Sequence, residues 1–459
     1  MKFSLLLSFI IATVTYASGP AGNFRQAYGP LFHPQPPNNA NNTQQFANEP
    51  VHRWNKIAIE ATGLDHTAVA PGEHRTFGEQ LGPGRASRAM AIVHIAIFDA
   101  INAAQGKYHS YTGSQSAPYP YSTAAAVAQT AHDTLSSLYP SQRAAFDQEL
   151  ADDLLGIKSE PPKDNGIALG KQIAAVALAS HASDGSEIPE PRIGVNYFTS
   201  NLPGLWRQDP ISQIPLALGA HWGACKTFVI KSSTQFSAPP PPDMTSAKYT
   251  TAYNEAKNFG GDGVVTPTQR TPEQAFIGTF WAYDGTPSLC APPRLYNQIT
   301  VHIANQTHLR PVELARLLAL VNVAMADTAI SVWESKYHYN FWRPVTAIRE
   351  SDRGTGPTGS GDGNPATIGD PSFTPLGAPA SNLNGPNFTP PFPAYPSGHA
   401  GFGGAIFEIL RRFYGTDNIG FTFIYLGIHW HFDKTAAISQ GRHVADYVFD
   451  HAFRPVSGE

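Results

Sequence analysis

The sequence predicts an all-α protein built from two packed helical bundles. Apolar residues recur at three- and four-residue steps, no run alternates as a half-buried strand does, and the two halves resemble each other. The 459 residues are enough for two or three average domains. Hydrophobic residues make up 42% of the chain and charged residues only 14%. Since globular proteins carry about 25% charged residues, this composition excludes a charge-rich disordered chain and a coiled coil.

The N-terminus is typical of a secretory signal peptide. Lys2 precedes an apolar run from Phe3 to Val14, and small residues follow. The run is too short to span a membrane. We therefore expect residues 1–17 to be a signal peptide and the mature protein to be secreted, extracellular and without a stable membrane anchor.

Sequons and cysteines fit a secreted chain. Asn-x-Thr triplets begin at Asn41, Asn305 and Asn387, as in a glycoprotein. The two cysteines, Cys225 and Cys290, permit one disulfide in an oxidising compartment. Two buried thiols are the alternative, and the sequence does not decide between them.

The first half predicts an arm followed by a bundle. Residues 18–80 are expected to form an extended arm, because most of this segment is polar and rich in Pro, Asn and Gly. Residues 81–236 are expected to form an N-terminal helical bundle that carries no site. Its predicted helices span about 85–105, 122–138, 141–155 and 164–182.

The second half predicts a linker and a second bundle. Four consecutive prolines, Pro239 to Pro242, place a linker at 237–243, because they can form neither a helix nor a central strand. Residues 244–459 are expected to form the C-terminal bundle. Its predicted helices span about 272–283, 292–306, 311–336, 397–414 and 433–452, with a loop rich in Gly and Pro at 351–396.

The halves share sequence features that indicate duplication. Ala91–Asp99 aligns with Ala319–Asp327, and each segment then reaches Lys-Tyr-His. Gly170–Ala174 likewise mirrors Gly441–Ala445. Two copies of one four-helix bundle explain this pattern. The alternative is a chance likeness between Ala-rich helices.

Three clusters of chemically active residues lie in the second half. Lys336 closes a long helix, and Arg343 follows seven residues later. Ser397-Gly398-His399 leads from a loop directly into a helix, whose unpaired N–H groups and dipole suit an oxyanion. His429 and Asp433 are four residues apart, so one helical turn brings the carboxylate beside the imidazole.

The combination points to chemistry on a tetrahedral oxyanion. Each cluster alone has an ordinary structural explanation, but two cations, a helix start and two histidines together can hold an oxyanion and perform acid–base or covalent chemistry. The net charge of −4 gives the whole chain no electrostatic affinity for nucleic acid. The anion site must therefore be local.

These motifs resemble the acid phosphatase/vanadium-dependent haloperoxidase superfamily. The pattern is Lys-x6-Arg-Pro, then Pro-Ser-Gly-His, then Gly-x-His-x3-Asp. The stretches Phe392–Ala400, Phe280–Gly285 and Tyr425–Trp430 are especially similar to soluble fungal vanadium chloroperoxidases. The likeness covers most of residues 80–452, and the family fold is a pair of four-helix bundles.

The resemblance implies a vanadate cofactor where the phosphatases bind phosphate. Vanadium would bond to His429, which Asp433 supports, and would act as a Lewis acid without changing its oxidation state. The residues that would hold the vanadate oxygens are Lys336, Arg343, Ser397 and the Gly398 amide, and His399 would be the acid–base residue.

The implied reaction is halide oxidation. Hydrogen peroxide and a halide would be the substrates, hypohalous acid the product, and a small organic molecule the acceptor. Trp333 and Phe392 match positions that line the halide side of the family's site. Apolar walls there would desolvate the halide.

One departure concerns the third motif. The family motif begins Ser-Arg, and its arginine binds the oxyanion, whereas Thr422 and Phe423 occupy these positions here. A long family insert before this point is absent too, which suggests a missing exon or deletion. Loss of one charge-assisted contact costs about 2–4 kcal/mol of anion binding. Asp284 matches the residue that pairs with this arginine and would be left near the site alone.

Three functions follow, in this order. The first is a secreted vanadium-dependent haloperoxidase. The second is a soluble acid phosphatase with a phosphohistidine at His429, because phosphate and vanadate share shape and charge. The third is a member of the same superfamily that is impaired by Phe423.

Overall fold

The chain is all-α in the part that the structure describes. The computed structural model describes residues 49–113, 120–158, 161–282, 291–307, 309–378, 387–415 and 429–456. These residues form twelve α-helices, and extended segments meet only in isolated bridges. The predicted fold class is confirmed.

The helices follow one another in a simple order along the chain. Their bounds are Pro50–Asp65 (α1), Gly82–Gln105 (α2), Thr123–Leu138 (α3), Arg143–Leu155 (α4), Pro161–Ser180 (α5), Ala247–Gly260 (α6), Pro272–Trp281 (α7), Pro292–Asn305 (α8), Pro311–Tyr339 (α9), Pro344–Glu350 (α10), Gly398–Tyr414 (α11) and His431–His451 (α12).

Two four-helix bundles pack against each other through one central helix from each. The first bundle contains α1, α2, α3 and α5, with α4 packed on α3. The second contains α8, α9, α11 and α12. Helices α2 and α9 pack extensively against each other and join the bundles.

The central helices are buried on almost every face. Every residue of α9 from Leu317 to Trp333 is buried, as expected for a helix that is apolar all round. Both α2 and α9 are long and apolar enough to cross a membrane, but 89% and 94% of their apolar windows are buried inside the protein. Their apolar character is therefore explained by the core.

The duplication extends to individual hydrogen bonds. His94 of α2 bonds the carbonyl of Met90 at 2.8 Å and the side chain of Asn55 on α1, also at 2.8 Å. At the equivalent position of α9, Asn322 bonds the carbonyl four residues earlier at 2.8 Å and the side chain of Asn297 on α8 at 3.2 Å. Helix α1 is thus the counterpart of α8.

A second correspondence is a close crossing between helices. A Cβ atom on Gly170 of α5 would lie 2.7 Å from the carbonyl oxygen of Ala126 on α3. A Cβ atom on Gly441 of α12 would lie 2.1 Å from the carbonyl oxygen of Gly401 on α11. Only glycine permits these approaches, so the mirrored glycines preserve the same crossing in both bundles.

Some sequence-based expectations need correction. The predicted arm, 18–80, is not extended throughout, because α1 forms at Pro50–Asp65 and packs into the first bundle. The sequence analysis also missed α6 and α10. The signal peptide, 1–17, lies outside the described residues. Cys225 is a buried free thiol, and Cys290 lies outside the described residues.

Candidate oxyanion-binding site

Lys336 supplies a fully buried cation at the end of α9. Its side chain has 0% exposure, and Nζ donates to the carbonyl oxygens of Pro393 and Ala394, both at 2.9 Å. The ammonium also lies 5.0 Å from the ring centre of Phe392 and 5.6 Å from that of Trp333. The carbonyl oxygens and ring faces stabilise a positive charge here without neutralising it.

Arg343 brings a second buried cation to the same segment. The chain leaves α9 through Asn340, whose φ of 48° turns it back toward the site. Arg343 is 1% exposed, and its Nε donates to the carbonyl oxygen of Phe392 at 3.0 Å. Its Nη1 lies 3.4 Å from Nε2 of His429. Two cations thus flank one loop, where they favour an anion.

The start of α11 supplies backbone donors. Ser397 is the N-cap, and its Oγ accepts the amide hydrogen of Ala400 at 3.4 Å. The amide of Ser397 donates to the carbonyl oxygen of Asp433 at 3.3 Å, which joins α11 to α12. The first turn of the helix therefore presents its positive dipole end beside the two cations.

Gly398 makes close packing possible at this helix start. A Cβ atom there would lie 2.9 Å from Cη2 of Trp333 and 4.0 Å from Cε of Lys336. Glycine is therefore required where the helix start meets the indole and the lysine. The absence of a side chain leaves the first amides open to a ligand.

His429 and Asp433 form the pair that their spacing predicts. Nδ1 of His429 lies 3.0 Å from Oδ2 of Asp433. The same oxygen accepts the amide hydrogen of Trp430 at 3.1 Å, and Asp433 is 0% exposed. A hydrogen on Nδ1 that faces a carboxylate leaves the lone pair on Nε2, the atom beside Arg343.

The electrostatics favour a neutral imidazole at His429. Burial, with the positive charges of Arg343 and Lys336, lowers its pKa well below the ordinary value. Burial raises the pKa of Asp433 to about 7, while the Trp430 amide and the two cations oppose that rise. A neutral imidazole can coordinate a metal through Nε2.

His399 faces this site with an available acceptor. The main chain of Trp281 bonds the imidazole, and Nε2 is buried without a hydrogen-bond partner among the described residues. The bond to Trp281 is therefore made by Nδ1–H, and Nε2 carries the lone pair. Burial and the charges of Lys336 and Arg343 lower the pKa of His399 to about 3.

An apolar wall stands next to the cations. The rings of Trp333 and Phe392 are 5.0 Å apart, and both side chains are buried. Nε1 of Trp333 donates to the carbonyl oxygen of Leu218 at 3.2 Å. A small anion in this place would lose much of its hydration.

Comparison with known proteins supports the resemblance drawn from the motifs. The family model described as VCPO second helical-bundle domain matches residues 316–425, which contain two of the three clusters and end before the His429–Asp433 pair. A vanadium chloroperoxidase from Curvularia inaequalis is 29% identical over 421 residues. The resemblance to the acid phosphatase/vanadium haloperoxidase superfamily is confirmed. The aligned region covers 79% of this chain and about 65% of that relative's length.

Solved structures share the vanadium haloperoxidase fold. The first bacterial vanadium-dependent iodoperoxidase matches with a TM-score of 0.69 and 21% identity, covering 90% of this chain and 98% of that one. An apo-type bacterial vanadium-dependent chloroperoxidase matches with a TM-score of 0.55 and 16% identity, covering 81% and 94%. The pair of bundles described above is that fold.

The residues present fit vanadate, which haloperoxidases of this superfamily use. The structure offers two buried cations, a helix start whose Gly398 meets the indole of Trp333, and an imidazole whose Nδ1 faces a carboxylate and whose Nε2 faces Arg343. The orphaned Nε2 of His399 is a buried acceptor that an oxygen ligand would satisfy. This donor set suits a tetrahedral oxyanion.

The third motif cannot be placed. Thr422, Phe423 and Asp284 lie outside the described residues. Two arginines that are near in sequence are held elsewhere, since Arg411 pairs with Glu408 and Arg412 with Asp446.

Sequence reasoning missed the backbone atoms that orient the side chains. The carbonyl oxygens that hold Lys336 and Arg343 come from residues 392–394, and the oxygen that holds Trp333 comes from Leu218, which lies between α5 and α6. Tyr296 was missed too, and its hydroxyl donates to the carbonyl oxygen of His399 at 2.8 Å. No motif marks these contacts, because any residue can supply a carbonyl.

Proposed function

We propose that the protein is a secreted vanadium-dependent haloperoxidase that oxidises a halide with hydrogen peroxide to hypohalous acid. The observation that carries the proposal is the convergence of Lys336, Arg343 and the α11 start on the carboxylate-backed imidazole of His429. The relatives named for vanadium-dependent halide oxidation support the same activity.

The proposed roles follow from the geometry. Vanadate bound at Nε2 of His429 would act as a Lewis acid that activates peroxide toward the halide. Lys336 and Arg343 balance the charge of the oxyanion in a site of low dielectric. Ser397 and the Gly398 amide would hold its oxygens, and Asp433 would keep the lone pair of His429 directed at the ligand.

His399 is placed for proton transfer. Its buried Nε2 would accept a proton from hydrogen peroxide and return one to the water that is released. The overall reaction consumes one proton, one peroxide and one halide and yields hypohalous acid and water. Trp333 and Phe392 remove water from the halide, which makes it a better nucleophile. A small organic molecule then accepts the halogen.

Bromination of a phenol indicator tests the proposal. The full chain is assayed with bromide, peroxide and increasing vanadate in phosphate-free buffer, with Lys336→Met as the inactive variant. We expect halide-dependent turnover that saturates with vanadate and that phosphate inhibits. A folded chain with no turnover at any vanadate level would refute the activity. A phosphate monoester that instead labels His429 would identify the phosphatase alternative.

A further inference from the structure

Leu218 in the segment between the bundles holds both halves of the apolar wall. Its carbonyl oxygen accepts hydrogen bonds from Nε1 of Trp333 at 3.2 Å and from the hydroxyl of Tyr337 at 2.9 Å. Its amide donates to the carbonyl oxygen of Pro391 at 2.9 Å, next to Phe392. The position of this one residue therefore sets where Trp333 and the Phe392 loop stand.

Gly219 fixes the loop directly against the indole. Its φ is +77°, and a Cβ atom on it would lie 2.3 Å from Cδ1 and 2.4 Å from Nε1 of Trp333. The opposite edge of the same indole rests on Gly398. Trp333 is thus enclosed between the loop and the oxyanion site, and a shift of the loop moves the indole.

Glu190 anchors this loop to the first bundle. Its Oε2 accepts the amide hydrogen of Gly219 at 2.5 Å, and its Oε1 pairs with Arg85 near the start of α2. The two side chains are only 14% and 15% exposed. Arg85 also donates to the carbonyl oxygens of Ser186 and Ile188, which holds it in place. The connection runs from α2 through Glu190 to the wall.

The loop packs closely beside this anchor. A gap of only about 10 Å³ lies next to it, lined by the start of α2 and by Glu190, Gly219, Trp222 and Trp333. The gap is no larger than one water molecule, so the indole follows the loop wherever the loop is held. The hydrogen bond and ion pair of Glu190 hold the loop at Gly219.

We propose that Glu190 is a positioning residue for the apolar wall and that it acts through Gly219 and Leu218 on Trp333. It touches no substrate. The assignment of Trp333 to the halide rests on the proposed function, but the mechanical link from Glu190 to Trp333 does not. Halide recognition in this chain would thus depend on a carboxylate that Arg85 of the first bundle holds.

Iodide quenching of tryptophan fluorescence tests this link without turnover. The iodide quenching constant is measured without peroxide for each protein and for the same protein carrying Trp333→Phe. The difference between the two constants is the quenching due to Trp333. We compare wild type, Glu190→Gln and the control Glu149→Gln. Glu149 pairs with Arg53 between α1 and α4, so this control removes a similar charge away from the wall.

We expect Glu190→Gln to raise the Trp333-specific quenching constant about threefold, because a charge-assisted hydrogen bond is weakened and the indole gains access to solvent. We expect Glu149→Gln to leave it unchanged. In turnover, Glu190→Gln should raise the halide KM more than it lowers kcat, with vanadate affinity unchanged. Should Glu190→Gln fail to fold, Glu190→Asp withdraws the carboxylate by one methylene and should give the same direction.

An unchanged quenching constant in folded Glu190→Gln, or an equal rise in Glu149→Gln, would overturn the proposal. The outcomes separate it from the proposed function. If wild type oxidises no halide, the enzyme assignment fails, while the quenching difference still decides whether Glu190 positions Trp333.

Discussion

The serines that begin α3 and α11 allow the binding role of Ser397 to be separated from its role in the fold. Ser397 caps α11 by accepting the amide hydrogen of Ala400 at 3.4 Å. Ser122 is its counterpart in the first bundle and caps α3 by accepting the amide hydrogen of Ala125 at 3.2 Å. Ser397 stands beside the buried cations, whereas Ser122 does not. Replacing either serine with alanine therefore removes a helix cap, but only Ser397→Ala also removes a proposed binding group.

The expected magnitudes differ between the two measurements. Loss of an N-cap costs about 1 kcal/mol of unfolding free energy, so both variants should be destabilised to a similar extent. Ser397→Ala should also lose a hydrogen bond to a charged oxyanion, which contributes about 1.5–3 kcal/mol. That loss corresponds to roughly 10- to 150-fold weaker vanadate binding. Ser122→Ala should bind vanadate like wild type.

Two assays on the same samples decide the matter. Urea unfolding gives the stability of each variant, and titration calorimetry with vanadate in phosphate-free buffer gives its affinity. Equal vanadate affinities for Ser397→Ala and Ser122→Ala would refute the assignment of Ser397 to the oxyanion. A much larger stability loss in Ser397→Ala would show that the two caps are not equivalent.

Three further predictions concern the third motif, a buried histidine and the support of the metal ligand. Phe423→Arg should tighten vanadate binding by roughly 30-fold or more, the value of one charge-assisted contact, and calorimetry should show no gain if the site is already complete. Burial lowers the pKa of His94 to about 4 from 6.5, so the folded state excludes a proton that the unfolded state binds between these values. The comparison variant is His94→Asn, which places at this position the residue type found at Asn322. The unfolding free energy of wild type relative to this variant should be constant above pH 6.5 and fall by about 3 kcal/mol as the pH drops to 4. Urea unfolding at each pH measures this difference. Asp433→Asn keeps a side-chain oxygen for His429 but removes the charge, so vanadate affinity should fall about 10- to 100-fold with the fold intact, and an unchanged affinity would exclude this supporting role.

Periodicity predicts helices well where packing and composition agree. Helix α9 is apolar at nearly every position and follows a proline start, so its span could be predicted within a few residues. Helix α1 was missed although Val51, Trp54, Ala58 and Ala61 follow helical steps. Its segment borders a long run rich in Pro and Asn, and its stability comes from packing into the bundle rather than from propensity. Such packing is not visible in the local sequence.

The candidate site likewise has a part that the sequence predicts and a part that only the tertiary fold creates. The charged and nucleophilic side chains could be named from the sequence, because few residue types hold an oxyanion and their spacing suits helix ends. The parts that orient them could not, since Lys336 and Arg343 are fixed by carbonyl oxygens more than 45 residues away in sequence. The contact between Glu190 and Gly219 is likewise a product of the tertiary fold. Backbone partners carry no signature in residue type.

The duplication also shows how the two bundles differ at the position of the proposed site. Helix α2 ends at Gln105, because Gly106 adopts a φ of 61° and turns the chain away, and Lys107 is left exposed. In α9 the helix continues to Tyr339, three residues beyond Lys336, so the equivalent lysine stays inside the core. A longer central helix converts a surface lysine into a buried cation. The first bundle keeps the serine cap but places Thr and Ala where the second has Gly and His, so it keeps the helix start without the two residues proposed to serve the oxyanion.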